Sequence, residues 1–207
     1  MRLLFNACSV TSLPAPDRRT PDDPPPALTE TSLRDGTPAL IWPLLPTDAR
    51  GLREAFRHLS PEARSQRFLS NLTDLDDSML HRLVDNVDGV HHLALILVVL
   101  LPEGDAEPVG VARLIQDVLH PTAAHVAVTV ADGWRQRGVG IALAQALVER
   151  RPQEVQRLLA DVAFDNRASL RLLGKLGRVR LTPAEMGVVE AVVELEPIPP
   201  VESQPAR

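Results

Sequence analysis

The chain has 207 residues, a formal net charge of −5 and 44% hydrophobic residues. That is enough for one domain with a substantial core, and the acidic balance argues against a broad nucleic-acid-binding surface. The longest apolar run, Leu93 to Leu101, is too short to cross a bilayer and reads as a buried strand. Cys8 is the only cysteine, so no intramolecular disulfide can form, which fits a reducing compartment. Met1 to Phe5 has a basic start, but its apolar stretch is far too short for a signal peptide. A cytoplasmic location is expected. The chain holds no tyrosine, and Lys175 is its only lysine.

Residues 1–35 place Pro14, Pro16, Pro21, Pro24, Pro25 and Pro26 among polar residues. Such a segment buries too little apolar surface to offset its ordering entropy, and a disordered tail is expected. Residues 197–207 repeat the pattern with Pro197, Pro199, Pro200 and Pro205, which leaves 36–196 as the expected domain. Within it, Pro38 to Leu44 reads as a first strand. Thr47-Asp48 caps a helix to about Leu59, and Ser60-Pro61-Glu62 starts a second with a cap, a proline and an early acid. Asp76-Asp77 opens a third, with Met79, Leu80, Leu83 and Val84 at helical spacing.

Strands are expected over Leu93 to Leu101, Pro108 to Gln116 and His125 to Val130, joined by turns at Pro102–Asp105 and Asp117–Thr122. A helix carrying Ile141, Leu143, Ala144, Leu147 and Val148 stops before Pro152, and a strand follows within Val155 to Ala163. Asn166 to Leu176 reads as a helix with Leu170, Leu172, Leu173 and Leu176 inward, closed by Gly177 as the residue past its end. Val179 to Leu181 and Gly187 to Leu195 close a strand pair. The order is β-α-α-α-β-β-β-α-β-α-β-β: an α/β domain with a mixed, mostly antiparallel twisted sheet and helices on both faces.

The stretch Ala123 to Ala142 carries the most chemistry. A strand ends at Val130, then Arg135-x-x-Gly138-x-Gly140 leads into a helix. That order puts bare N–H groups at the positive end of a helix, where phosphate oxygens bind. Glycine lets the backbone approach a diphosphate without a Cβ clash. The motif lacks the Lys-Ser/Thr of a Walker loop and the third glycine of a dinucleotide fingerprint. A second motif is Asn166-x-x-Ser169-x-x-Leu172-x-x-Lys175-x-Gly177. Taken alone, its asparagine is a helix cap.

In register, the two motifs resemble the acetyl-CoA loop and the Asn-x-x-(Ala/Ser)-x-x-Leu-Tyr-x-Lys-x-Gly-Phe signature of the GCN5-related N-acetyltransferases, the GNAT family. The resemblance implies a GNAT fold and acetyl-CoA as acyl donor. Its pyrophosphate would rest on the amides of Arg137, Gly138, Val139, Gly140 and Ile141, with charge from Arg135 or Arg137. Backbone groups of Val128 and Val130 would pair with the pantetheine arm. Asn166 would help position that arm, and Ser169 joins the cofactor-binding set. The front half, Leu59-Ser60-Pro61-Glu62-Ala63-Arg64, Arg67-Phe68, Leu80, Leu83 and Ala94-Leu95, resembles a bacterial branch that acetylates a lysine of acyl-CoA synthetases.

Two positions depart from the family pattern. The branch commonly has a glutamate general base where Ala124-His125-Val126-Ala127 stands, so His125 occupies the catalytic position. An imidazole ordinarily titrates near about 6.5 and suits proton transfer near neutrality. Leu173 stands where many members have a tyrosine that protonates the departing thiolate, a proton that water or Ser169 can supply instead. His91, His92 and His120 offer no third ligand at useful spacing, so no metal is expected. The expected function is an acetyl-CoA-dependent N-acetyltransferase acting by direct attack of an amine, as a monomer or homodimer, with no nucleic-acid or membrane partner. The alternative is a catalytically weak acyl-CoA-binding regulator. A structural domain without a CoA site is a third reading.

Overall fold

In chain order the elements are β1 (Thr29–Ser32), β2 (Pro38–Pro43), α1 (Ala49–His58), α2 (Pro61–Phe68), α3 (Asp77–Val84), β3 (His92–Leu100), β4 (Ala106–Gln116), β5 (Ala123–Val130), α4 (Val139–Glu149), β6 (Arg157–Ala163), α5 (Arg167–Leu173), β7 (Arg178–Pro183) and β8 (Val188–Glu194). The computed structural model describes residues 29–70, 72–101 and 106–198. The strands form one sheet in the order β1-β2-β3-β4-β5-β6-β8-β7. Every neighbouring pair is antiparallel except β5–β6. This is the mixed, mostly antiparallel sheet with helices on both faces that the order of elements implied.

Alternation along the strands divides the two faces. Leu93, Leu95, Leu97 and Val99 of β3 join Ala112 and Leu114 of β4 and Leu143 and Leu147 of α4 in the main core. Leu143 and Leu147 are fully buried, each contributing about 1.5–3 kcal/mol by area. Gly110 lets α4 seat this closely, because a Cβ there would lie 2.7 Å from Val139 Cγ1. On the opposite face, Ala94 of β3 packs with Leu44 and Val84. Phe56, Leu59, Ala63, Leu75 and Leu80 form the core among α1, α2 and α3.

The helix starts follow their caps. Ser60 Oγ accepts the Ala63 N–H at 3.1 Å and Asp76 Oδ1 accepts the Met79 N–H at 2.7 Å. The first helix departs from expectation. Pro46–Asp48 form a 3-10 turn, and the Asp48 carboxylate accepts the Leu45 N–H at 2.8 Å rather than capping α1.

Three further differences stand out. First, β1 lies inside the segment read as a tail. Among the described residues its polar TETS sequence pairs along one edge, with β2, and it shows no strong apolar pattern. Residues 1–28 of the expected N-terminal tail (with Cys8), the Pro102–Asp105 turn and residues 199–207 lie outside the described residues. Second, α5 ends at Leu173 and the chain turns through Gly174–Leu176. Third, Gly177 is not a left-handed cap: a Cβ there would fall 2.0 Å from the Glu194 carbonyl oxygen. Close backbone approach to β8, not a helix end, demands glycine at this position.

Candidate active site

The site grows from a fork in the sheet. β5 and β6 pair in parallel only at Ala123↔Arg157, Ala124↔Leu158 and His125↔Leu159. Beyond His125 the two strands part. At the two ends of the β4–β5 ladder, Asp117 N–H donates to the Ala123 carbonyl and Ala131 N–H donates to the Val109 carbonyl. In an antiparallel ladder these bonds recur at every second residue. The odd-numbered residues of β5 therefore direct their peptide groups at β4, and Val126, Val128 and Val130 direct theirs into the fork. This is the edge on which an extended, amide-bearing ligand can form sheet-like hydrogen bonds.

The glycine loop closes the wide end of the fork. Gly138 is the N-cap of α4 with φ +101°, a backbone state that L side chains rarely adopt. The first intrahelical bond runs from the Ala142 N–H to the Gly138 carbonyl. The amides of Val139, Gly140 and Ile141 precede that bond and have no acceptor within the helix. Their positive end carries the partial charge that favours an anion. A Cβ on Gly140 would project among Val130 Cγ2, Leu172 Cδ2 and Val128 Cγ1 at 3.6–3.9 Å, so its absence widens the groove beside β5.

A groove of about 950 Å³ runs along these features. It is lined by His125, Val128, Val130, Arg135, Gly138, Gly140 and Ile141, and on its other wall by Asn166, Ser169 and Leu173. Two sequence-predicted residues stand apart from this lining. Val139 is 1% exposed and its side chain belongs to the core, so only its amide faces the loop. Arg137 stacks over the Trp134 ring at 4.7 Å and pairs with Asp35 at 3.6 Å. Arg135 lines the groove but also meets Asp132 Oδ1 at 3.0 Å.

Arg34 was not singled out from sequence, because it falls in the segment read as a tail. It lines the groove, and its N–H donates to the Arg137 carbonyl at 2.9 Å. Its backbone nitrogen lies 3.3 Å from where a Gly138 Cβ would be. Asp132 fixes the loop from the other side. It accepts the Ser60 N–H at 2.8 Å and the Ser60 hydroxyl at 3.0 Å, joining the glycine loop to the start of α2.

His125 sits at the vertex of the fork, with its side chain 37% exposed. Its Nε2 is 3.6 Å from Asp117 Oδ2, and His120 Nδ1 is 3.6 Å from Asp117 Oδ1. Burial raises the Asp117 pKa, but N–H groups of His120 and Leu119 and the facing imidazoles outweigh this and hold it below the usual value. The carboxylate thus stays ionised beside His125. Glu62, in the first turn of α2, also lines the groove. Asn166 is 8% exposed, and its Oδ1 accepts the Ser169 N–H at 3.0 Å, capping α5. Leu173 is 5% exposed and brings no proton donor.

Among the described residues, no group of His, Cys, Asp and Glu has the arrangement of a metal site, and no helix is long and apolar enough to cross a membrane. His92, one of the histidines weighed as a ligand, is buried and its Nε2 faces Arg113 Nη1 at 3.3 Å.

Comparison with known proteins places this architecture. The acetyltransferase Pat of Mycolicibacterium smegmatis is 31% identical over 175 residues, covering 84% of this chain and 50% of that protein. An acetyltransferase of Pseudomonas aeruginosa is 31% identical over 150 residues, covering 72% of this chain and 78% of that one. The chain thus spans half the length of its Mycolicibacterium relative. The solved GNAT domain of S. lividans PAT superposes with a TM-score of 0.68 at 24% identity, covering 81% of this chain and 97% of that one. The protein yncA from Salmonella typhimurium, solved with acetyl-CoA, gives 0.55 at 16% identity, over 76% of this chain and 94% of that one. At these identities the two structures show the GNAT fold. Residues 53–177, from α1 to the turn after α5, match the acetyltransferase (GNAT) family model, and the chain belongs to that family.

Proposed function

We propose that this protein transfers the acetyl group of acetyl-CoA to an amine by direct attack. The observation that carries the reading is the fork. Peptide groups of Val126, Val128 and Val130 and the open amides of α4 face one groove, with His125 at its vertex. Acetyl-CoA supplies an activated acyl group and a thiol leaving group. The amides of Gly138 to Ile141 hold its pyrophosphate, aided by Arg135 and Arg34. Val128 and Val130 hold the pantetheine arm, with Asn166 and Ser169 lining the far wall.

The amine enters from the α1–α3 side. Its nitrogen bonds to the acyl carbon as the carbon–sulfur bond breaks. His125 takes the amine proton and Asp117 steadies the resulting imidazolium. Water or Ser169 returns a proton to the thiolate, in the role that Leu173 cannot fill. Orientation supplies most of the rate, and the base adds about 10²-fold to 10⁴-fold. Likeness to the two Pat proteins supports a protein lysine as acceptor, with the lysine of an acyl-CoA synthetase the first to test.

Calorimetric titration with acetyl-CoA tests the donor site without knowledge of the acceptor. Micromolar binding that disappears in Gly138→Glu supports the reading. Absence of binding in the wild type contradicts it. A second reading, acyl-CoA binding without turnover, is favoured by Leu173, which leaves the groove without a phenol. It predicts tight acetyl-CoA binding and no acetylation across a panel of amines.

A further inference from the structure

A second cavity of about 360 Å³ lies between the sheet and helices α1–α3. Its walls are mostly apolar, with Trp42, Phe56, Leu59, Leu75 and Ile96 among them. It meets the main groove at Arg67, Phe68, Leu83, Ala127 and Thr129, which line both. Its charged lining residues are Arg67, Arg113 and Asp48, and the Asp48 carboxylate is taken up by the Leu45 N–H at 2.8 Å. Arg113 is 5% exposed, and among the described residues its buried Nη2 has no hydrogen-bond partner. Its Nη1 meets the His92 ring at 3.3 Å. Among the described residues, neither arginine forms an ion pair.

A buried cation without a counter-charge is strongly unfavourable, and a second guanidinium nearby makes it more so; Arg67 is half-buried and stacks over the Phe68 ring at 4.8 Å. Burial pulls the pKa of Arg67 down to about 10. Burial, with the charge of Arg67 behind it, pulls that of Arg113 to about 9. An apolar residue of similar length would fit the same space without this cost. What answers the arrangement is an anion entering from the groove. A carboxylate matches it best, since its two oxygens suit the guanidinium fork. The register fixes the reach. Arg113 lies opposite Ala127, two residues beyond His125 along β5, or about 7 Å at the usual strand rise.

We infer that Arg67 and Arg113 form a carboxylate-binding pair at the reacting end of the groove, for a carboxylate carried on a short apolar stem by either the acyl donor or the amine acceptor. The inference rests on the acyl-transfer reading above and adds a charge preference to it. The chemistry is unchanged: amine nitrogen to acyl carbon, with the carbon–sulfur bond broken. The remote carboxylate takes no part in bond making.

Two arms separate the sources. In the donor arm, succinyl-CoA and butyryl-CoA are titrated by calorimetry. In the acceptor arm, 4-aminobutyrate and its neutral amide are compared as substrates of the acetyl-CoA-loaded protein. The expected result is a preference of about tenfold or more for the charged member in one arm. Arg113→Met should remove that preference, Arg113→Lys should keep part of it, and acetyl-CoA binding should be unchanged in both. Removing an unpaired buried charge should leave Arg113→Met at least as resistant to urea as the wild type. Normal acetyl-CoA binding with no preference in either arm, or a preference that survives Arg113→Met, overturns the inference and leaves the acyl-transfer reading standing. Failure of the wild type to bind acetyl-CoA overturns both.

Discussion

The Asp132 carboxylate holds both polar groups of Ser60: the N–H at 2.8 Å and the hydroxyl at 3.0 Å. The same hydroxyl oxygen accepts the Ala63 N–H and caps α2. One carboxylate after β5 therefore sets both the glycine loop and the first turn of a helix on the opposite face of the sheet. Burial raises the Asp132 pKa, but the Ser60 hydrogen bonds and the charge of Arg135 outweigh it and keep the pKa below the usual carboxylate value. A lowered folded pKa means that this contribution is present above the unfolded value and fades as pH falls through the folded one. Asp132→Ala should cost about 1–2 kcal/mol in urea unfolding at neutral pH. It should also weaken acetyl-CoA binding in calorimetry, because the loop loses its anchor. Stability lost with binding unchanged would limit Asp132 to capping.

His125 should act on turnover and not on donor affinity. His125→Ala is expected to lower kcat by about 10²-fold to 10⁴-fold while the acetyl-CoA Kd stays put. Asp117→Asn removes the charge that faces the ring at 3.6 Å and should give a smaller loss of the same kind. An unchanged rate in His125→Ala would move the base elsewhere, with Glu62 of the same groove the next to test.

Two glycine substitutions should fail in different ways. At Gly177 a Cβ meets backbone at 2.0 Å, so Gly177→Ala should destabilise by about 1–3 kcal/mol or more through displacement of β7 from β8. At Gly138 the strain comes from φ +101°, with the nearest atom 3.3 Å away. Gly138→Ala should cost about 1–2 kcal/mol of stability and mainly damage acetyl-CoA binding. Paired urea and calorimetric titrations separate the two.

His92 gives a pH signature. Burial, reinforced by the charge of Arg113, pushes its pKa from 6.5 to about 4. Between these values the unfolded chain binds a proton that the folded chain does not. Stability should therefore fall as pH drops from about 6.5 towards 4, by about 3 kcal/mol at most from this group. His92→Gln should flatten that part of the profile measured by urea midpoints.

The chain order of the elements, two of the helix caps and the glycine turn before α4 were legible because alternation, capping residues and glycines each act locally. Asp76 and Ser60 announced α3 and α2 in this way. β1 was not legible: its TETS sequence gains its order from β2 and from the Arg34–Arg137 contact, both set by tertiary structure. Gly177 was legible as an obligatory glycine but not for its reason, which lies in a strand almost 20 residues downstream. Of the residues that motif spacing singled out, Gly138, Gly140, Asn166 and Ser169 line the groove, whereas the Arg137 charge faces Asp35; Arg34, not singled out, lines it too. Arg113 gave no signal, since a single arginine in an apolar strand declares neither its burial nor its neighbour Arg67.

Residue-resolved amide hydrogen exchange, with and without acetyl-CoA, tests the central claim most directly. The backbone of the fork and the start of α4 should receive the ligand. Exchange is predicted to slow on binding at Val128, Val130, Val139, Gly140 and Ile141, and to stay unchanged at the odd-numbered amides of β5, which already face β4. Binding with no added protection at these five positions would contradict the account, because acetyl-CoA would then lie outside the fork.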